Sequence, residues 1–202
     1  MGRGTVSVFQ STLPYGQSGN EDGHEFFKFR NSFVMHSSKY IQCAQILSKP
    51  KKSKKICASL SKKIKKKFRN IDLILSPAIG GIVIGYEIGK ILNIETIFAE
   101  RVKKKFHLRR GFSITRNKRV LIVEDVITTG KSVLECSDIV KTNKANLVGY
   151  ACIIDRSDEN VVIKDKIVSQ IKFNIETFSE DKLPEQLKKI RPIKPGSRNL
   201  SK

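Results

Sequence analysis

Tryptophan is absent from this chain of 202 residues, and methionine occurs only twice. The four cysteines, Cys43, Cys57, Cys136 and Cys152, are scattered and form no Cys-x-x-Cys pair. That spacing argues against a zinc ribbon, a redox dithiol and a disulfide framework, and fits a reducing interior. Long apolar runs are missing too. The longest nearly apolar stretch, Pro77 to Tyr86, falls short of the roughly 20 residues that cross a bilayer. The opening MGRGTVSVFQSTLPYGQ lacks the charged-then-apolar layout of a secretory signal. We therefore expect a cytoplasmic protein with no membrane association. Acids are scarce beside bases: 19 against 39 gives 39 − 19 = +20, with a pI near 10.0. At 39% hydrophobic residues the chain can still bury a core, and its length suits about one domain.

A strongly basic chain suggests nucleic acid as a partner. Here, however, the charge is concentrated. Ten lysines fall between Lys49 and Lys67, where Ile56, Leu60, Ile64 and Phe68 recur every four residues. That period describes an amphipathic helix whose lysines form its solvated face. A second basic cluster runs from Arg101 to Arg110. Nucleic-acid binding is not expected from this pattern.

The remainder alternates between strand and helix. Residues 1–23, rich in Gly, Ser and Pro, read as an irregular or mobile start, and 24–202 as the folded domain. Ser53 is a candidate cap for the lysine-rich helix, which runs to about Phe68. Strands are expected at 71–75, 94–98, 120–123, 147–154 and 167–173. Helices are expected at 82–92, apolar on almost every side and so buried against a sheet, and at 131–142. Such alternation implies right-handed crossovers and a doubly wound, mostly parallel α/β sheet.

Ligands of such sheets sit beyond the C-terminal strand ends, where three loops carry chemistry. In the first, the greasy run Val120 to Val123 ends in Glu124-Asp125, followed by Val126-Ile127-Thr128-Thr129-Gly130 and a helix opening at Lys131-Ser132. Backbone N–H groups, threonine hydroxyls and the helix N-terminus make a pocket for a phosphate. The two carboxylates would repel that phosphate, so they suit sugar hydroxyls or a developing positive charge. The ending Thr129-Gly130-Lys131-Ser132 is not a Walker A loop, because the required upstream glycine is Asp125. The second loop, Ser76-Pro77-Ala78-Ile79-Gly80-Gly81, has paired glycines that let backbone approach a diphosphate. The third, Ala99 to Phe112, is a long cationic excursion without an evident buried face, and reads as a mobile lid able to close over a phosphorylated substrate.

With these loops in view, Val120 to Ser132 resembles the phosphoribosyl diphosphate motif of type I phosphoribosyltransferases. The whole set is similar to orotate phosphoribosyltransferases: Tyr40-Ile41-Gln42-Cys43-Ala44, Ser76 to Gly81, Glu100-Arg101 through Leu108-Arg109-Arg110-Gly111-Phe112, Asp155-Arg156-Ser157, and Lys194-Pro195-Gly196-Ser197-Arg198. The resemblance implies a sheet with a lid loop and a small N-terminal hood. It implies transfer of phosphoribosyl from phosphoribosyl diphosphate to orotate, with Mg²⁺, in pyrimidine (UMP) synthesis.

By position it implies that Val126, Ile127, Thr128, Thr129, Gly130, Lys131 and Ser132 hold the 5′-phosphate, and Glu124 and Asp125 the ribose hydroxyls. Arg101, Lys105 and His107 would engage the diphosphate, with Lys105 joining Glu124 and Asp125 as catalytic groups. Thr128, Arg156, Tyr40 and Ile41 would meet orotate, and Ser76, Pro77, Ala78, Ile79, Gly80 and Gly81 would line the diphosphate side. A homodimer is implied, each lid completing the neighbouring site. The chain departs from many relatives at Val102, where a second cation is common, and at Ser32 to His36, which lacks a Ser-Gly turn. The competing reading is a regulator that keeps the fold as a nucleotide sensor and binds nucleic acid through its basic helix.

Overall fold

The computed structural model describes residues 29–30, 36–37, 42–157, 161, 163, 166–173, 178 and 180–188. Residues 1–23, Tyr40, Ile41 and Lys194 to Arg198 lie outside the described residues. The chain divides into two units, Tyr40–Glu176 and a smaller one of Met1–Lys39 with Thr177–Lys202. In the smaller unit, β1 (Phe29–Arg30) pairs antiparallel with β2 (His36–Ser37).

The larger unit is built on a six-stranded sheet of β3 (Leu73–Pro77), β4 (Thr96–Val102), β5 (Lys105–Leu108), β6 (Arg119–Ile127), β7 (Asn146–Asp155) and β8 (Ile167–Lys172). Their order is β5-β4-β3-β6-β7-β8, parallel throughout except for the β4–β5 hairpin. Central strands buried on both faces read as continuous apolar runs. Their alternation sorts side chains to two layers. Leu73, Leu75, Ile97, Val120, Ile122 and Tyr150 pack with Val133, Cys136 and Val140 of α4 (Lys131–Thr142). Ile74, Leu121, Val123, Ala151 and Ile153 pack instead with α1 (Cys43–Leu47), α2 (Pro50–Lys67) and α3 (Gly80–Leu92). The expected doubly wound, mostly parallel sheet is thus present.

The lysine-rich helix starts earlier than its sequence suggested. Pro50 opens α2, where its missing N–H costs nothing, and Ser53 is buried within the first turn instead of capping it. Burial pushes the Cys57 thiol up to about 11, against a hydrogen bond with Ser53. Cys57, Leu60, Ser61 and Ile64 face inward while the lysines are exposed. Lys63, exposed like the others, also donates to the carbonyls of Ser169 and Gln170 in β8, both at 3.0 Å. A solvated lysine face of this kind should hold duplex DNA only weakly near physiological salt and without sequence preference. Fluorescence anisotropy with labelled duplexes checks this; a tight, sequence-selective complex would revive the regulator reading.

Helix α3 also differs from expectation. Its Gly81, Ile84, Gly85, Ile88 and Gly89 are buried, but Ile79 just before it, Val83 and Tyr86 are exposed. The apolar surround seen in the sequence therefore belongs to two faces, only one of which meets the sheet.

Candidate active site

The strand order fixes where a ligand can enter. From β3 the chain winds outward through β4, and from β6 it winds the other way through β7 and β8. The reversal between β3 and β6 leaves a crevice at their C-terminal ends, the position where open α/β sheets bind ligands. The loops leading from these strands are Ser76 to Gly81 and Val126 to Ser132.

Strand β6 runs on past its pairing with β3, carrying Glu124 and Asp125 at its end. Alternation sends them to different layers. Glu124 is influenced by Arg101 and faces Cys136 of α4, while Asp125 lies against Gly80 and Cys43. Burial first, and then the neighbouring Asp125 carboxylate, pushes the Glu124 carboxyl up to about 9. Burial also raises Asp125, opposed by the Val126 N–H that donates to its Oδ1 at 2.8 Å. Adjacent like charges in a half-dry crevice favour holding a proton between them.

The two loops touch through this pair. A Cβ on Gly80 would stand 2.9 Å from Asp125 Oδ1, so only glycine leaves the acid its place. Upstream, Ser76 and Pro77 are buried, Ala78 N–H donates to Ala99 O at 2.8 Å, the Ala78–Ile79 peptide is cis, and Ile79 is exposed. Downstream, Thr128 and Thr129 are exposed, Ser132 is half-buried, and Gly130 turns left-handed at φ 73°. Helix α4 begins at Lys131 with no side chain from Gly130 to cap it. Its first N–H groups are ready-made donors for an anion.

Beside β6, Arg156 follows the end of β7. Its N–H donates to Ile127 O at 2.7 Å, tying it to the loop that carries Thr128. The guanidinium is half-buried, burial lowers its pKa, and Nε has no acceptor among the described residues. A buried, unpaired guanidinium edge is expensive unless an anion arrives to meet it.

The third loop departs from the expectation of an excursion with no buried face. Thr96–Val102 and Lys105–Leu108 form a tight hairpin whose turn residues, Lys103 and Lys104, both have positive φ. Phe106 is buried, and Arg101 stacks over its ring at 4.1 Å. Arg101 also donates to Lys104 O at 2.6 Å and pairs with Glu135 Oε2 of α4 at 2.8 Å. Lys105 and His107 point outward and are exposed. The partnership of Arg101 with Glu135 had no signature in sequence, because Glu135 reads there as an ordinary position on an amphipathic helix.

Residues 44–182 match the family model for a phosphoribosyl transferase domain. The orotate phosphoribosyltransferase of Methylorubrum populi is 43% identical over 169 residues, covering 83% of this chain and 86% of the relative. That of Caldicellulosiruptor saccharolyticus is 42% identical over 179 residues, covering 89% of this chain and 91% of the relative. The chain belongs to the orotate phosphoribosyltransferase family. Solved structures agree on the fold. Aeropyrum pernix orotate phosphoribosyltransferase gives a TM-score of 0.63 at 18% identity, covering 72% of this chain and 85% of that one. An adenine phosphoribosyltransferase from Thermoanaerobacter pseudethanolicus gives 0.57 at 18% identity, covering 66% and 88%. The fold therefore does not choose the base. Assignment to the orotate phosphoribosyltransferases comes from the sequence relatives.

Proposed function

We propose that the protein is an orotate phosphoribosyltransferase of de novo UMP synthesis. It forms the bond between orotate nitrogen and ribose C1′ while the C1′–O bond to diphosphate breaks, the electron pair leaving with pyrophosphate and the proton of that nitrogen passing to the departing pyrophosphate or to water. The observation that carries this reading is Arg156, a half-buried cation with an open Nε, tied to the same strand end as Glu124 and Asp125.

In this reading the loop Val126 to Ser132 holds the 5′-phosphate. The Val126 N–H is given to Asp125, but the Lys131 N–H that opens α4 meets only Thr129 Oγ1 at 3.5 Å, so the turn around Gly130 and the start of α4 supply the donors. Glu124 and Asp125 hold the ribose hydroxyls and, once ionised, stabilise positive charge growing on the ring, as carboxylates do in glycosyl transfer. Loop Ser76 to Gly81 lines the diphosphate side. Thr128 and Arg156 take orotate, whose carboxylate suits a guanidinium fork; the family resemblance assigns Tyr40 and Ile41, outside the described residues, to the same substrate. Arg101 exchanges Glu135 for diphosphate oxygens, and Lys105 and His107 reach toward departing charge.

Among the described residues no three His, Cys, Asp or Glu side chains gather as a metal site. This donor set suits Mg²⁺ carried in by the diphosphate, since Mg²⁺ commonly keeps substrate phosphates and waters as ligands. When bound it neutralises charge on the leaving group. The working form is a homodimer, each lid completing the neighbouring site; the exposed Ile79, Val83 and Tyr86 offer an apolar face for assembly. Residues 24–202 form the phosphoribosyltransferase domain. Four free, buried cysteines suit a cytoplasmic setting.

Arg156→Lys should weaken orotate binding by about 1.5–3 kcal/mol, the worth of a charged hydrogen-bonded contact, while sparing phosphoribosyl diphosphate. Titration calorimetry with each substrate separates these outcomes; equal losses for both would count against the role of Arg156.

A further inference from the structure

Arg156 sits in a backbone clasp that none of its proposed contacts requires. Asp155, the last residue of β7, is buried, and its Oδ1 accepts two bonds from Ser157: the N–H at 2.9 Å and the hydroxyl at 2.5 Å. Ser157 is itself buried. The carbonyl of Asp155 accepts from Phe173 N–H at 2.8 Å, and the N–H of Arg156 is held by Ile127 O at 2.7 Å. Residue 156 is thus fixed from three sides: from β6, from the segment after β8, and by its own neighbours closing a turn around it. A carboxylate bridging residues i and i+2 fixes the backbone between them. It thereby sets the direction in which the intervening side chain leaves.

We infer that Asp155 and Ser157 are positioning residues that aim the Arg156 guanidinium, and so set the preference for an acceptor base bearing a carboxylate. This rests on the reading that Arg156 meets the carboxylate of orotate. Neither residue touches the substrate in this account. The clasp removes freedom that Arg156 would otherwise lose on binding, and planar bidentate recognition tolerates little misalignment. Its effect therefore falls on the carboxylate-bearing base and not on the phosphoribosyl donor. Burial of the clasp matters as well: away from water, the two bonds to Oδ1 have no competitor of equal strength.

The experiment measures kcat/KM for orotate and for uracil, which lacks the carboxylate, together with KM for phosphoribosyl diphosphate and the melting temperature. The variants are Ser157→Ala, Asp155→Asn, Asp155→Ala, Arg156→Gln and the double variant Ser157→Ala with Arg156→Gln. Loss of one bond in the clasp should lower the orotate-to-uracil preference about three- to tenfold in Ser157→Ala, leaving KM for phosphoribosyl diphosphate unchanged. Asp155→Asn, which keeps an acceptor oxygen, should retain most of the preference that Asp155→Ala loses. On the Arg156→Gln background, Ser157→Ala should change the preference no further, because a residue acting through Arg156 has nothing left to position. Equal losses for both bases, following the melting temperature and adding in the double variant, would show a merely structural clasp and overturn the inference. Should Arg156→Gln itself leave the preference intact, the carboxylate reading falls and the inference with it. If Arg156→Gln removes the preference while Ser157→Ala and a folded Asp155→Ala keep it, only the inference falls.

Discussion

Glu124→Gln is expected to make the protein more stable and almost inactive. The wild-type carboxyl is buried next to Asp125 and held near 9, whereas in the unfolded chain it titrates near 4.5. Below pH 4.5 both states keep the proton and the native state bears no penalty. As pH rises from 4.5 to 9, the unfolded chain releases its proton while the folded one retains it, so stability falls through that window. Glutamine does not titrate. The variant should therefore gain stability relative to wild type progressively from pH 4.5 to 9 and level off above, by on the order of a few kcal/mol. Activity moves the other way. Removing a group aimed at transition-state charge in such a site typically costs about 10²–10³ in kcat. Denaturant melts across that pH range, paired with steady-state rates, read both effects. A variant whose stability difference is flat with pH would mean that Glu124 is already ionised in the ligand-free protein. This opposition between stability and activity is the expected cost of storing like charges at a strand end.

Mixing two inactive variants should restore activity. If the lid works across a dimer interface, Lys105 and Asp125 of one working site come from different chains. Lys105→Ala and Asp125→Asn homodimers should then each be nearly inactive, since every site lacks a charge-stabilising group. Under subunit exchange about half the dimers become hybrids, and each two-fold hybrid carries one intact site and one doubly damaged site. The expected recovery is about a quarter of wild-type activity for independent sites. The geometry gives this result a second meaning. Arg101, one pair from the turn of the hairpin, is bound to Glu135 of its own subunit while Lys105 beside that turn is exposed, so the hairpin is anchored near its turn and Lys105 is still available. Demonstrated exchange without recovery would assign the hairpin to its own subunit's site.

Much of this was legible in the sequence because burial leaves direct marks there. Val120 to Val123 declares a strand covered on both faces, and Glu124-Asp125 stand out because acids rarely follow such a run. The switch point was not legible: alternation gives a doubly wound sheet, but the reversal between β3 and β6 lies in the order of strands across it. The hairpin was less readable. Lys105-Phe106-His107-Leu108 does alternate, but with a single fully buried side chain, and Lys103-Lys104 lacks the Asn-Gly chemistry usual for so tight a turn. Ser53 misled because a serine before an apolar stripe is a good cap, yet Pro50 could start the helix a turn earlier. The exposed side of α3 was hidden for a different reason. Ile79, Val83 and Tyr86 are as apolar as the residues facing the sheet, and composition does not say which apolar face is covered. Spacing does send the adjacent Glu124 and Asp125 to different layers, but it could not show how strongly burial and the Asp125 charge raise Glu124.

The central claim is that this crevice couples phosphoribosyl diphosphate to orotate. It is tested most directly by following pyrophosphate release from phosphoribosyl diphosphate with Mg²⁺ in the presence of orotate, uracil or hypoxanthine. The account predicts pyrophosphate in stoichiometric balance with orotidine 5′-phosphate when orotate is supplied, with far lower kcat/KM for uracil and none detectable for hypoxanthine. Equal turnover of uracil, or transfer to hypoxanthine in preference to orotate, would contradict it.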